Sequence, residues 1–484
     1  MEEKDKSMDS KIKELIEKAE KGDAEAQFIL GGMYYNGKGV KQNNEKAFKW
    51  FEKSAEQGDA DAQLVLGCMY YSGENIEQDY EKAFKWFEKS AEQGDVGAQW
   101  WLGIMYYYGE GVEQNYNKAF EWYKKSAEQG DASAQLNLGV MYCDGKGIGQ
   151  NYKKAFEWYK KSAEQGNARA QYNLGIMYRK GEGIGQNYEK AFKWFKKSAE
   201  QEDTSAQCNL GVMYCDGEGV EQDYKKAFEW FKKSAEQGNV GAQLNLGVMY
   251  YTGEGIGQNY EKAFEWYKKS AEQGNARAQC NLGIMYYYGE GVEQNYNKAF
   301  EWHKKSAEQG NASAQLNLGV MYYNGKGIGQ NYEKAFEWYK KSAEQGNTDA
   351  QYMLGLLYHN GEGVERNYDK AFEWCEKSAE QGNASAQFRL GNMYFSSNGT
   401  KQDYNKAFYW FEKSAEQGNT YSQYHLGLLY EYGEGVEQNY SKALKWYEKS
   451  AEQGNADTAS PWWKEASTQR ISKIKSYLYP NDID

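Results

Sequence analysis

The sequence predicts an all-α solenoid of helix–turn–helix units. Three observations carry that prediction. A pattern returns every 36 residues, twelve times, without insertion or deletion, from Ala24 to Asn455. Each copy holds two apolar stripes at helical spacing. Proline, which would break such helices, occurs only at Pro461 and Pro480, both beyond the last full copy. A fixed period of this length marks a repeat array and overrides the prior of about three domains that 484 residues suggest.

The organisation follows in three parts. Residues 1–23 form an N-terminal capping segment, with a polar, frayed start over residues 1–8. Ile12, Leu15, Ile16 and Ala19 then keep helical spacing and Gly22 ends the run, so the segment reads as the second helix of an incomplete unit. The array occupies 24–455 as twelve units, 24–59, 60–95 and so on to 420–455. Residues 456–484 form a C-terminal cap. There Ser460-Pro461 opens a helix, and Trp463, Ala466, Ile471, Ile474 and Leu478 give its stripe before Pro480. Terminal units of a solenoid must cover an exposed end, so atypical ends are expected.

Residues 132–167 represent every unit. Asp131 is a good N-cap. Ala134, Leu138, Met141 and Tyr142 make one apolar face, and Gly139 admits a close neighbouring helix. Gly145 suits the left-handed position that ends a helix. A loop follows in which Ile148 is the expected buried anchor. Asn151 caps the second helix, where Ala155, Trp158, Tyr159, Ser162 and Ala163 form the second stripe. Gly166 closes it and Asn167 caps the next unit. Gln135, Leu138, Gly139 and Tyr142 are the same in all twelve copies. Twelve of the 16 tryptophans sit at the Trp158 position, which supports a core role and leaves Trp100, Trp101, Trp462 and Trp463 to be explained. Two places break the pattern and predict local irregularity: Glu202 replaces the closing glycine, and the loop Ser396-Ser-Asn-Gly-Thr replaces the usual Gly-x-Gly of the eleventh unit. A period that never slips gives each helix pair the same rotation on its predecessor, hence a regular superhelix.

Charge and cysteine content limit the function. With 58 Lys+Arg against 70 Asp+Glu, the net charge of −12 argues against a broad nucleic-acid or anionic-membrane surface. No apolar run approaches the ~18 residues of a membrane span. The start, Met-Glu-Glu-Lys-Asp-Lys-Ser, is too charged for a signal peptide. Cys68, Cys143, Cys208, Cys215, Cys280 and Cys375 occupy scattered unit positions. Cys208 and Cys215 are ~10 Å apart along one helix, too far for a disulfide. All six read as reduced thiols of a cytoplasmic protein.

The pattern Ala-x-Ala-Gln-x-x-Leu-Gly-x-Met-Tyr, then Gly-x-Gly-Val, then Asn-Tyr-x-Lys-Ala-Phe-x-Trp-Tyr-x-Lys-Ser-Ala-Glu-Gln-Gly-Asn, resembles the Sel1-like repeat, a relative of the tetratricopeptide repeat. The resemblance spans residues 24–455. It implies a right-handed α/α superhelix whose first helices line the concave side, and a role as scaffold or adaptor for a protein or peptide partner.

The residues left over once the core is assigned point to where a partner would sit. Ser133, Leu136, Asn137, Val140 and Asp144 share a second stripe on the first helix, which by elimination faces the groove. In the related tetratricopeptide repeats that stripe binds extended peptides. Six successive units place Asn there: Asn137, Asn173, Asn209, Asn245, Asn281 and Asn317. An amide offers a donor and an acceptor, so a row of them can grip a peptide backbone without reading side chains. Tandem duplication, which copies every residue, and a bond to a neighbouring helix are the alternatives. Outside the run the position holds Ile29, Val65, Trp101, Met353, Arg389 and His425.

Trp100 and Trp101 suggest an anchor pocket, with gap-filling against the next helix as the alternative. Tyr107-Tyr108 and Tyr287-Tyr288 add aromatics at helix ends. Arg169, Arg179 and Lys180, with Arg277 at the Arg169 position three units on, could hold a carboxylate or be a solvated face. The Gly-Glu-Gly-Val loops follow helices and recur, so they are not phosphate loops. His303, His359 and His425 lack metal-ligand spacing, and no cofactor or metal is expected. Asn-x-Ser/Thr at Asn311, Asn383, Asn398 and Asn439 reads as a product of the repeat. Two other functions compete with the scaffold. One is a structural spacer or self-assembling rod. The other is a β-lactamase-like or penicillin-binding enzyme, as described for cysteine-rich members of the family. This chain lacks their paired cysteines, and its Ser-x-x-Lys matches, Ser10 to Lys13 and Ser472 to Lys475, have no Ser-Asp-Asn or Lys-Thr-Gly beside them.

Overall fold

Helix-favouring stripes and strong caps produce helices throughout. The computed structural model describes residues 2–453 and 461–478, with side chains described over 11–452 and 464–478. Every regular element among the described residues is an α-helix. α1 (Glu2–Glu20) is followed by twelve pairs, numbered so that even helices come first in each unit, from α2 (Ala24–Asn36) and α3 (Asn44–Glu56) to α24 (Thr420–Tyr432) and α25 (Tyr440–Gln453). α26 (Pro461–Leu478) closes the series. The polar start continues α1 as far as Glu2 and does not stand apart as a tail. The Ser460 cap and the Trp462 and Trp463 side chains lie outside the described residues.

The helices group into two compact units, 1–242 and 243–484, with the division inside α14 (Val240–Thr252). In the first, residues 132–167 show how one repeat holds the next. Asp131 Oδ1 accepts from Ala134 N at 2.6 Å and Asn151 Oδ1 from Lys154 N at 3.0 Å, so both expected caps form. Ala134, Leu138, Met141, Tyr142, Ala155, Tyr159, Ser162 and Ala163 are buried. Ser162 Oγ donates to Ala132 O at 2.6 Å and ties the pair together. Buried Gln135 links two repeats. Its Nε2 donates to Ala127 O at 3.1 Å, and its Oε1 accepts from Gln165 at 2.8 Å. A buried amide must be paired, which explains why that glutamine never varies.

Three expectations about the repeat are corrected. Trp158 is only half-buried, with Lys161 Nζ 4.2 Å from its ring centroid, so the tryptophans form a cation–π rim on the core. Gly139 gives way to a side chain, since a Cβ there would strike the Tyr159 ring of the same unit. The close backbone approach belongs to the second loop glycine: a Cβ on Gly147, whose φ is 69°, would overlap the Tyr116 carbonyl of the preceding unit. Ile148 is half-buried beside it.

α1 takes the place of a second helix, as its spacing predicts. Gln27 Nε2 donates to Ala19 O at 2.9 Å, the bond that Gln135 makes to Ala127. Both predicted irregularities are present. α11 (Tyr188–Ala199) stops one residue early, and Glu202 adopts φ 67°. Ser397 ends its helix at φ 60°. Left-handed backbone costs a residue with a Cβ roughly 1–2 kcal/mol. A third such residue, Asn75 at φ 67°, stands where most copies have the second loop glycine.

In the second unit the end of the array is sealed by α26. Ile474 is buried, and Ala466, Ile471 and Leu478 pack around Tyr424, Tyr430 and Tyr447. The seam also holds a buried carboxylate. Glu431 accepts from Tyr447 Oη at 2.8 Å, Arg470 Nη1 at 2.9 Å and Lys473 Nζ at 3.2 Å.

Candidate functional site

Assigning the core leaves most of the predicted stripe of the first helices half-buried or exposed, although Leu244, Cys280 and Tyr424 at the Leu136 position are buried. In the first unit the stripe is interrupted by a cavity of about 620 Å³. Its walls come mainly from three successive first helices, with Phe51 of α3 completing the lining. α2 gives Phe28, Ile29 and Tyr35, α4 (Ala60–Ser72) gives Val65, Cys68 and Tyr71, and α6 (Val96–Tyr108) gives Trp101. Ile29, Val65 and Trp101 occupy the Asn137 position in their units. The change from Asn to apolar residues at this end therefore builds one apolar hollow.

Gly32 opens that hollow. It lies inside α2, where glycine costs about 1 kcal/mol relative to alanine, and a Cβ there would meet nothing within 4 Å. The matching residues elsewhere include Cys68, Ile104, Val140, Val212 and Leu356. Trp101 is held by its neighbours: it stacks on Phe87 at 5.4 Å and 5° and leans on Tyr71 at 4.6 Å. Its indole bonds the Cys68 thiol, which burial pushes up to about 11, so that sulfur stays protonated at neutral pH. Trp100 does not share the cavity. It packs on the cluster around Tyr106, Ala119 and Tyr123, and its Nε1 is buried without a hydrogen-bond partner.

Two smaller hollows fall on the same stripe, one in each unit. Tyr107, Tyr108, Tyr123, Asn137 and Val140 line about 150 Å³. Tyr287, Tyr288, His303, Asn317 and Val320, at the matching repeat positions, line about 130 Å³. Tyr107 and Tyr108 are thus brought together with Asn137, and Tyr287 and Tyr288 with Asn317, while the other four asparagines line neither hollow. Tyr108 and Tyr288 remain largely exposed. A depression of about 420 Å³ on the other helix face, along α11, is edged by Lys190, Lys193, Lys197 and Trp194 and contains no stripe residue.

All six asparagines are half-buried. Asn137 and Asn281 bond the hydroxyls of Tyr123 and Tyr267, whose ionisation burial suppresses. Asn209 donates to Ser205 O at 2.9 Å and accepts from Arg179 at 3.2 Å. Asn317 reaches Cys280 Sγ at 3.9 Å. Asn173 has no hydrogen-bond partner for its amide among the described residues. In the first unit the run is therefore partly engaged by the protein itself, with Asn173 the most available.

The basic spot is largely neutralised. Arg179 pairs with Glu218 at 2.7 Å and Asp216 at 3.7 Å, and Lys180 with Glu182 at 3.5 Å. Arg169 is exposed, 3.9 Å from Asp203 and over the Tyr172 ring, and Arg277 is exposed. The histidines are separate: His303 is buried against Gly283, His425 lies among Phe388, Phe395 and Phe411, and His359 packs on Tyr368. Asn311, Asn383 and Asn439 are helix N-caps. Ser472 is exposed, and Lys475 pairs with Glu448 at 3.5 Å. No helix among the described residues is long and apolar enough to cross a membrane. The sequence pointed to an anchor pocket at Trp100 and Trp101 and to a change of chemistry at Ile29 and Val65, but not to a hollow between them, and Gly32 and Cys68 were missed. A glycine where other copies carry a side chain was the available clue.

Comparison with known proteins supports the same frame. A family model described as Sel1 repeat matches residues 24–59, 60–95, 96–131, 132–167, 168–203, 204–239, 240–275, 276–311, 312–347, 348–383, 384–419 and 420–455. Among solved structures, c5321, a protective antigen of uropathogenic Escherichia coli with an SLR fold, is 36% identical with a TM-score of 0.75. That match covers 97% of this chain and 95% of the other. A Sel1 repeat protein from Oxalobacter formigenes is 34% identical with a TM-score of 0.50, over 64% of this chain and 89% of its own. Comparison with curated proteins gives no match.

Proposed function

The chain belongs to the Sel1 repeat family, and from that premise we propose that it is an interaction scaffold whose first-helix stripe holds an extended segment of a partner protein. One observation carries the reading. In the first unit the apolar hollow and a smaller one take most of their walls from the stripe that the core leaves over, with Asn137 in the smaller one, and the second unit repeats the smaller hollow around Asn317. Alternating apolar hollows and amides suit an extended peptide, whose side chains need pockets and whose backbone needs donors and acceptors. Asn173 supplies an amide with no competing partner. Exposed Arg169 and Arg277 are placed on the stripe to meet a carboxylate of the partner.

The test uses peptides selected from a random display library against the full chain. Asn173→Ala should weaken their binding about fivefold, the worth of roughly one net hydrogen bond, with helicity and melting unchanged. Unchanged affinity would remove the asparagine run from the site. Light scattering that shows concentration-dependent oligomers, with no peptide bound, would instead support a self-assembling rod.

A further inference from the structure

We infer that the cavity opened by Gly32 is the specificity pocket of the chain, and that it takes a bulky apolar side chain of a partner segment flanked by lysine or arginine. This rests on the scaffold reading above and names what the first unit selects.

The size and lining define the first half of the inference. About 620 Å³ is far more than a packing defect, and it is walled by Phe28, Ile29, Val65, Tyr71 and Trp101. Ile29 is 44% exposed, a large apolar side chain left at the mouth. A rigid aromatic wall that buries one apolar group is where binding energy concentrates. Trp101 is fixed by its stack on Phe87, so the wall is formed before a ligand arrives. The hollow exists because Gly32 withholds a side chain that a Val, Ile or Leu supplies in most other units. Glycine inside a helix weakens it, and here the compensating feature is the open space.

Charge defines the second half. Glu25 and Asp61 stand at the Ser133 position of the first two units, on the stripe beside the pocket, and Glu74 forms part of its rim. All three are exposed, and none is in an ion pair among the described residues. Tyr35, another lining residue, donates through its hydroxyl to the Glu74 carboxylate at 3.4 Å. Further along the same unit the Ser133 position holds Arg169 instead. An acidic border around an aromatic hollow selects a cation next to an apolar group, and guanidinium or ammonium stems can also lie on the exposed rings.

The same display library provides the probe. Enriched peptides should share an aromatic or branched aliphatic residue with Lys or Arg within two positions. Gly32→Val should weaken them at least about tenfold. It restores the residue found at Val140, Val212, Val248 and Val320, and its Cβ enters open space, so the helix should be retained, which a melting curve verifies. Glu25→Gln, Asp61→Asn and Glu74→Gln together should weaken binding severalfold and flatten its dependence on salt. Peptides without the apolar–cationic pair, or peptides indifferent to Gly32→Val, overturn the pocket. If those peptides still respond to Asn173→Ala, the pocket falls and the scaffold reading stands. If no peptide is enriched at all, both fall.

Discussion

Glu431→Ala should release α26 from the second unit. The wild-type carboxylate is 3% exposed and satisfies Tyr447, Arg470 and Lys473 at once. Removing it leaves the Tyr447 hydroxyl without its acceptor and the 28%-exposed Arg470 without its counter-charge, with only the Tyr432 hydroxyl at 2.7 Å to accept from it. Breaking one side of a buried ion pair costs about 3–5 kcal/mol. In a repeat array that loss stays near the altered end, because each element contacts only its neighbours. Amide exchange of α26 should therefore accelerate at least about a hundredfold, while the earlier helices of the unit keep their protection. Glu431→Gln should fall between, since an amide can still accept from Tyr447 but does not neutralise Arg470. Exchange of α26 unchanged in both variants would remove Glu431 as the clamp.

Acidification should loosen the repeat around His303. The ring is 1% exposed, and burial pushes its pKa down to about 4. In the unfolded chain an imidazole takes its proton near 6.5. Between those values the unfolded state binds more protons than the folded one, so stability falls as pH drops from about 6.5 to 4 and levels off below. The full shift is worth roughly 3 kcal/mol. Burial lowers His425 and His359 as well, so they act in the same sense. His303→Phe places there the residue found at Phe87, Phe195 and Phe231. Amide exchange in α17 (Tyr296–Glu308) and α18 (Ala312–Asn324) should quicken between pH 7 and pH 4.5 in the parent chain. The quickening should shrink in the variant. Equal acid sensitivity in both would place the effect elsewhere.

The repeat was legible because it is local. Caps, stripes and closing glycines act within one helix or loop, so Asp131, Asn151, Gly145 and Gly166 could be placed from spacing alone. What was not legible depends on which neighbour arrives. Gly139 faces Tyr159 of its own unit, and Gly147 faces Tyr116 of the preceding one, but periodicity says only that both must be small. Trp158 follows the stripe yet lies at its edge, where Lys161 covers it. The site shows the same limit. The stripe and its asparagines follow from elimination. The hollow needed three helices to be brought together, and the missing Gly32 side chain carries no pattern of its own. Glu431 was equally silent, although it is the one acidic residue at a position otherwise held by Tyr, Cys, Arg, His or Phe.

The most direct measurement is a crosslinking map with a display-selected peptide. A photoreactive benzophenone side chain would replace, one at a time, Val140 and Val212 on the stripe and Lys160 and Lys232 on the exposed face of second helices. A scaffold that binds through its first helices predicts crosslinks from Val140 and Val212 and none from Lys160 or Lys232. Crosslinks from the lysine positions alone would contradict it.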